Sequence, residues 1–253
     1  MLNLTQEQLD AAIKSHGEWV EDKSRGKRLE LENVSLAGLE IKKACLINSS
    51  FVNVDFKDAD VSIVNFEGVF MKNVKFSGVG DLTFVNMSKS ELIDVDFSGI
   101  SLFSLDFMKS ILKCVDFSNS EISGFFFDDS DLSDSIFNNA EISSSSMNRA
   151  RMKNVKFVNC KIQNTKLKEI KDINHKSVSN SGTFKGDIVY LVDLDLVIAG
   201  CWSGTLEEFK IKSSKIEEDE KNEFNLYDTV KLFSEWKRQK QKLKIDEQFR
   251  EVY

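Results

Sequence analysis

The chain has 253 residues, 41% of them hydrophobic, a formal net charge of −7 and no proline. A net-acidic chain is poorly suited to nucleic acid as its main ligand. No apolar run reaches the roughly 18 residues that mark a membrane span, and Met1-Leu2-Asn3-Leu4-Thr5-Gln6 lacks the charged-then-apolar pattern of a secretory signal. Cys45, Cys114, Cys160 and Cys201 are scattered without a C-x-x-C pair, which fits reduced thiols in a cytoplasmic protein.

Residues 1–28 read as a helical cap. Thr5 and Gln8 form a capping box and Leu4 with Leu9 a hydrophobic staple. Leu9, Ile13, His16 and Val20 follow helical spacing, and Gly26 marks the exit.

From Leu31 to Leu167 every fifth residue is large and apolar, giving 28 centres with a single one-residue slip around Gly78-Val79-Gly80-Asp81. Neither a helix nor a flat strand places every fifth side chain on one side, so the segment is an internal repeat. The residue two before each centre is Val, Ala or Ser in most units, Cys160 among the exceptions, and the remaining positions are mostly Asp, Asn, Ser, Lys and Gly. A second period of 20 residues, or 21 across the slip, aligns the centres into columns. One is Phe56, Phe76, Phe97, Phe117, Phe137 and Phe157. Another is Ile41, Val61, Leu82, Leu102, Ile122, Ile142 and Ile162. A third is Leu46, Phe66, Met87, Phe107, Phe127, Met147 and Leu167. Four units per turn therefore stack like on like, with a rise of about 4.8 Å per coil. Proline is excluded because each coil needs its N–H donors for its neighbours. The slip predicts a bulge or wider corner at Gly80, where glycine tolerates strain cheaply.

After Leu167 the five-residue beat stops. Residues 170–182 read as loop. Two strands are predicted at Ile188–Val192 and Leu194–Ile198. Thr205 and Glu208 form a capping box for a short helix through Phe209, and Glu217-Glu218-Asp219-Glu220 reads as an acidic linker. Leu226, Val230 and Phe233 form a helical stripe, and the charged segment from Lys237 to Tyr253 is predicted helical. Residues 170–253 thus make a small α+β C-terminal cap.

Units such as Ala59-Asp60-Val61, Ser130-Asp131-Leu132 and Val95-Asp96-Phe97-Ser98 carry a resemblance to the pentapeptide-repeat family over about residues 29–169. The resemblance implies an all-β solenoid: a right-handed quadrilateral parallel β-helix of about seven coils, with an N-terminal cap helix. Residues 198–208 are also similar to the tails of some bacterial and phage-type members.

No catalytic, cofactor-binding or metal-binding constellation is found. His16 and His175 are far apart, and no zinc, P-loop, dinucleotide or nucleophile-elbow motif occurs. The chain is expected to be no enzyme and to carry no cofactor. Surface features point instead to binding. Between Glu91 and Glu141 eleven acids, among them Asp96, Asp106, Asp116, Asp128, Asp129, Asp131 and Asp134, face only Lys109 and Lys113. A basic stretch from Arg149 to Lys168 follows. Asp96 and Asp116 are predicted to stack, a mildly unfavourable pairing. Ile63, Phe84, Phe103 and Phe126 fall at outward positions of successive coils, predicting a stacked apolar ridge suited to a protein partner or a homodimer.

The resemblance extends to the Qnr group, which implies a protein partner, DNA gyrase or topoisomerase IV, engaged by an acidic rod that mimics duplex DNA. Two features depart from that group: no sizeable loops project from the coils, and the basic stretch breaks a uniform acidic surface. The alternative reading is a scaffold, effector or phage-related adaptor whose C-terminal region recognises the target. An enzyme hidden in residues 183–253 is a third.

Overall fold

The computed structural model describes residues 1–179, 187–219 and 226–250. They fall into two compact units: Met1–Cys160 with Thr165–Asp172, and Lys161–Asn164 with Ile173–Tyr253.

The first unit is a four-sided parallel β-solenoid. One wall is a parallel sheet of short strands stacked in order: Glu30–Glu32, Ser50–Val52, Phe70–Lys72, Glu91–Ile93 and Ile111–Lys113. A second wall stacks Glu40–Lys42, Asp60–Ser62, Asp81–Asn86, Ser101–Asp106, Glu121–Ser123 and Glu141–Ser143 in the same way. The other two walls are held by single bridges per coil, such as Asp55 with Lys75 and Asn65 with Asn86.

The corners explain the repeat length. In all 28 pentads, from Asn33 to Glu169, the residue two after the centre has a positive φ in the left-handed region. Only Gly, and to a lesser degree Asn and Asp, adopts that region readily. Eighteen of these 28 positions are Asn, Asp or Gly. The residue before the centre completes the turn. The Oδ1 atoms of Asp55, Asn65, Asn86, Asp96, Asp106, Asp116 and Asp131 each accept the N–H two residues on, at 2.8–3.0 Å. These are Asx-turns, which tighten the chain without extra residues.

The columns of large side chains fill the interior. Phe56, Phe76, Phe97, Phe117, Phe137 and Phe157 stack face to face, with centroids 4.6–5.3 Å apart and ring planes 10–17° apart. Leu82, Leu102, Ile122 and Ile142 pair in register along the second wall. Buried serines at the small positions are satisfied by the backbone: Ser49, Ser110 and Ser135 donate to the carbonyls of Leu46, Met87 and Leu112 at 2.7, 2.8 and 3.1 Å.

The slip behaves differently from the glycine expectation. Pairing partners lie 20 residues apart before it (Phe51 with Met71) and 21 apart across it (Met71 with Leu92). Gly80 does not have a left-handed backbone, and a Cβ there would meet nothing within 4 Å. The extra residue lies between buried Val79 and Leu82, where the strand Asp81–Asn86 begins, so a left-handed backbone does not select the glycine.

The N-terminal end of this unit is covered twice. Helix α1, Gln6–Glu21, begins at the Thr5–Gln8 capping box. Its Gln6 side chain donates to Glu40 O (3.0 Å) and accepts from Glu40 N (2.9 Å), standing in for a strand partner. A strand the sequence did not suggest, Leu2–Asn3, pairs in parallel with Val34–Ser35. Gly26 (φ 59°) lies so close to Ser15 O that a Cβ would come within 2.0 Å of it, so the exit turn requires glycine. His16 is fully buried; its Nδ1 accepts the Leu29 N–H at 3.0 Å.

The second unit has a four-stranded antiparallel sheet in the order His175–Ser179, Asp187–Leu191, Leu196–Ala199, Trp202–Gly204. Helix α2, Leu206–Asp219, and helix α3, Leu226–Arg250, follow. Ile188, Tyr190, Val197, Leu206, Phe209 and Phe233 form its core. The two predicted strands are present with shifted ends, because a 3-10 turn at Val192–Leu194 ends the first. A strand occupies part of the expected loop, and Trp202–Gly204 is also a strand. The helix begun at the Thr205–Glu208 capping box continues past Phe209, so residues 217–219 are helical rather than linker. Residues 180–182, Glu220 and residues 251–253 lie outside the described residues.

Asp195 ties this unit together. It takes the Tyr190 hydroxyl at 2.9 Å and the Lys237 ammonium at 2.8 Å. Burial pushes its carboxyl up, but the bonds from Lys237, Tyr190 and the Leu206 amide outweigh this and hold it below the usual carboxylate range.

Candidate functional site

The solenoid's outward residues are set by the same pentad geometry as its core. Three of the four predicted apolar residues are well exposed: Ile63 at 52%, Phe84 at 66% and Phe126 at 47%, while Phe103 is half-buried. They do not form one vertical file. Ser62 pairs with Thr83, which sets Ile63 beside Phe84 on the next coil. Phe103 pairs with Thr83 and therefore stands one position off that column. Phe126 pairs with Asp106, on a neighbouring wall. The reason is arithmetic: the four residues lie two, two, one and minus one positions from their centres, so they fall into three columns. The contiguous group is Ile63, Phe84 and, diagonally, Phe103.

Ile63 and Phe84 are unusual in a second way. Both occupy the left-handed corner position, with φ of 56° and 52°. A β-branched or aromatic residue there is a backbone outlier. Thus the two most conspicuous exposed apolar residues of this wall also sit where the repeat favours Asn, Asp or Gly.

The acidic belt is less available than its composition suggests. Asp96, Asp106, Asp116 and Asp131 each commit one oxygen to an Asx-turn. Asp96 and Asp116 are stacked neighbours as predicted, with Lys75 on the other side of Asp96. Asp128 accepts from Asn148 N (3.0 Å) and Ser146 Oγ (2.8 Å). Asp134 accepts from Asn154 (2.9 Å). Asp129 forms a two-pronged pair with Arg149, both bonds 2.7 Å, and the guanidinium holds its carboxyl below the usual range. Arg151 pairs with Asp172. The basic coil therefore interlocks with the last acidic coil instead of standing apart from it. Beside this clasp is a polar groove of about 450 Å³ in which Asp129, Asp131 and Asp172 balance Arg149, Arg151 and Lys171.

One surface was not anticipated from the sequence. On the first wall the outward positions carry Val52, Phe70, Ile93 and Ile111, interleaved in register with Lys72, Glu91 and Lys113. Ile111 is exposed and the others half-buried. The signal lies one position either side of each centre, once all four walls are laid out separately. Among the described residues, no group of three or more His, Cys, Asp or Glu is placed to hold a metal ion, and no helix is long and apolar enough to cross a membrane.

The family model for pentapeptide repeats matches residues 110–149 in eight copies, so this stretch consists of pentapeptide repeats. Among solved structures, the chain is similar to QnrB1, a plasmid-mediated fluoroquinolone resistance protein, at 16% identity over 56% of this chain and 71% of that one, TM-score 0.37. It is similar to HetL of the cyanobacterium Nostoc, involved in heterocyst differentiation regulation, at 13% identity over 62% and 92%, TM-score 0.26. A third is Rfr23 of the cyanobacterium Cyanothece, at 13% identity over 63% and 95%, TM-score 0.29. No curated protein matches the chain.

Proposed function

We propose that the solenoid is a non-catalytic protein-interaction module working in the cytoplasm, where the exposed Cys45, Cys114 and Cys201 stay reduced. The observation that carries this reading is the Ile63–Phe84 pair. Exposing large apolar groups forgoes burial, and holding them in left-handed backbone adds about 1–2 kcal/mol each. Two such burdens at adjacent positions fit residues kept for a partner, since strained outliers concentrate where function holds them. Phe103 extends the patch. Asp81, exposed beside it on the same wall, favours a partner whose apolar pocket has a basic rim, while Asp60 is already held by Lys42.

We further propose that this partner is DNA gyrase or topoisomerase IV, met by an acidic, duplex-like rod. The Asx-turn aspartates support it in part: Asp96, Asp106 and Asp116 recur at the same position of their pentads and use a single oxygen for the turn. The Asp129–Arg149 clasp weakens it at the last coils. A gyrase supercoiling assay with and without a quinolone tests this reading. Inhibition, or protection from the drug, supports it. Neither effect discards the topoisomerase and leaves the interaction surface to be tested by co-sedimentation and pull-down. In those assays Ile63→Asn with Phe84→Asn abolishes complex or homodimer formation if the patch is the interface, while an unchanged complex removes it from consideration.

A further inference from the structure

The second unit contains a basic cleft that takes no part in the solenoid's apolar patch. It has a volume of about 240 Å³ and lies between the start of α2 and the middle of α3. Glu207 and Lys210 form one side; Ser234, Lys237, Arg238 and Gln241 form the other. The last four are spaced i, i+3, i+4, i+7, a single stripe along α3, beside the stripe that buries Leu226 and Phe233.

Three cations thus line the cleft; Glu207 within it and Asp195 behind Lys237 answer two of them, which leaves one positive charge, on Arg238. Lys210 Nζ lies 2.9 Å from Glu207, and Lys237 is anchored by Asp195 at 2.8 Å. Arg238 has no ion-pair partner among the described residues and is exposed. A guanidinium fork flanked by two ammonium groups matches the oxygens of a phosphate, which carries about −1.5 to −2 at pH 7. A carboxylate has oxygens for the fork alone, whereas the further oxygens of a phosphate can also accept from the two ammonium groups, each of which has three donors.

We propose that this cleft binds a phosphate group, with Arg238 gripping two oxygens and Lys210 and Lys237 supplying charge. The phosphate belongs either to a soluble compound or to a lipid headgroup. The proposal is independent of the solenoid surface, because every residue it uses lies in the second unit.

Calorimetric titration of the full chain with inorganic phosphate, against chloride at matched ionic strength, tests it. Co-sedimentation with vesicles containing a phosphoinositide separates the two sources. Saturable binding of free phosphate without vesicle capture assigns a soluble ligand; vesicle capture stronger than free-phosphate binding assigns a headgroup. In either case Arg238→Gln weakens binding at least tenfold, and Arg238→Lys recovers only part of it because the fork is lost. No saturable binding to either probe, or equal affinity in Arg238→Gln with an unchanged circular dichroism spectrum, overturns the proposal.

Discussion

At the scale of single residues, the left-handed corner is where composition and geometry meet most directly. Asn33, Asn53 and Asn73 occupy it in successive coils and also hydrogen-bond to one another at 2.8–2.9 Å. Ile63 and Phe84 occupy the same position with neither advantage. Replacing either with Asn is therefore expected to raise stability by about 1 kcal/mol, read as a higher denaturation midpoint, while complex formation falls. A lower midpoint would mean that the side chains are needed by the fold. His16 makes the opposite bargain. Burial, and then Lys23 and Arg28, lower its pKa against a raising contact from the Ile47 backbone. Its Nδ1 must stay unprotonated to accept the Leu29 N–H, and its Nε2 is buried without a partner. The folded pKa lies below the unfolded value of about 6.5. The stability His16 contributes is thus full above that value and is lost as pH falls through the folded pKa. A thermal midpoint series from about pH 8 to 5, spanning that value, should fall more steeply for the wild type than for His16→Asn, whose Oδ1 can replace Nδ1.

At the scale of elements, the instructive cases are the ends. A short strand such as Glu40–Lys42 leaves backbone groups open on its outer side, which invites pairing with another chain. Gln6 closes that side at Glu40 with its amide. Gln6→Ala is expected to cost about 0.5–1.5 kcal/mol and to speed hydrogen exchange at Glu40 without changing the helix signal of α1. In the second unit, Asp195→Ala removes the bonds from Tyr190 and Lys237. About 2 kcal/mol of loss is expected, discounted for the partial exposure of the ion pair. The Trp236 fluorescence transition should shift while the β signal of the coils stays. The capping boxes at Thr5 and Thr205 were readable because each lies within four consecutive residues. The length of α2 was not: an acidic run at 217–219 resembles a linker until the buried face of the preceding turns, Leu206, Phe209 and Ser213, is known to continue the helix.

For the solenoid as a whole, stability is a sum over coils, each resting on its neighbours. Phe117 stacks on Phe97 and Phe137 at 5.3 and 4.8 Å, so Phe117→Ala opens a cavity touching two interfaces. A loss of about 3–5 kcal/mol is expected, measured by denaturation. A smaller loss at Phe157, nearer the end of the same file, would show the additive behaviour of a repeat array.

The amino-acid sequence by itself determined the pentad beat, the four-sided coil, the identity of three of the four core columns and the non-helical character of residues 29–169. A period of five is compatible with no other regular backbone, and each centre sits in its own unit. Tertiary structure decided what no local spacing contains. The pairing of Ser62 with Thr83 and of Asp106 with Phe126 split the apolar ridge into separate columns. The cross-coil bonds of Asp128, Asp129 and Asp134 converted three acids at the end of the acidic belt into structural partners. The approach of α3 to α2 gathered Lys210 and Arg238 around one cleft. Side chains from different coils or helices meet only when the chain closes on itself, so these surfaces depend on register and packing rather than on composition.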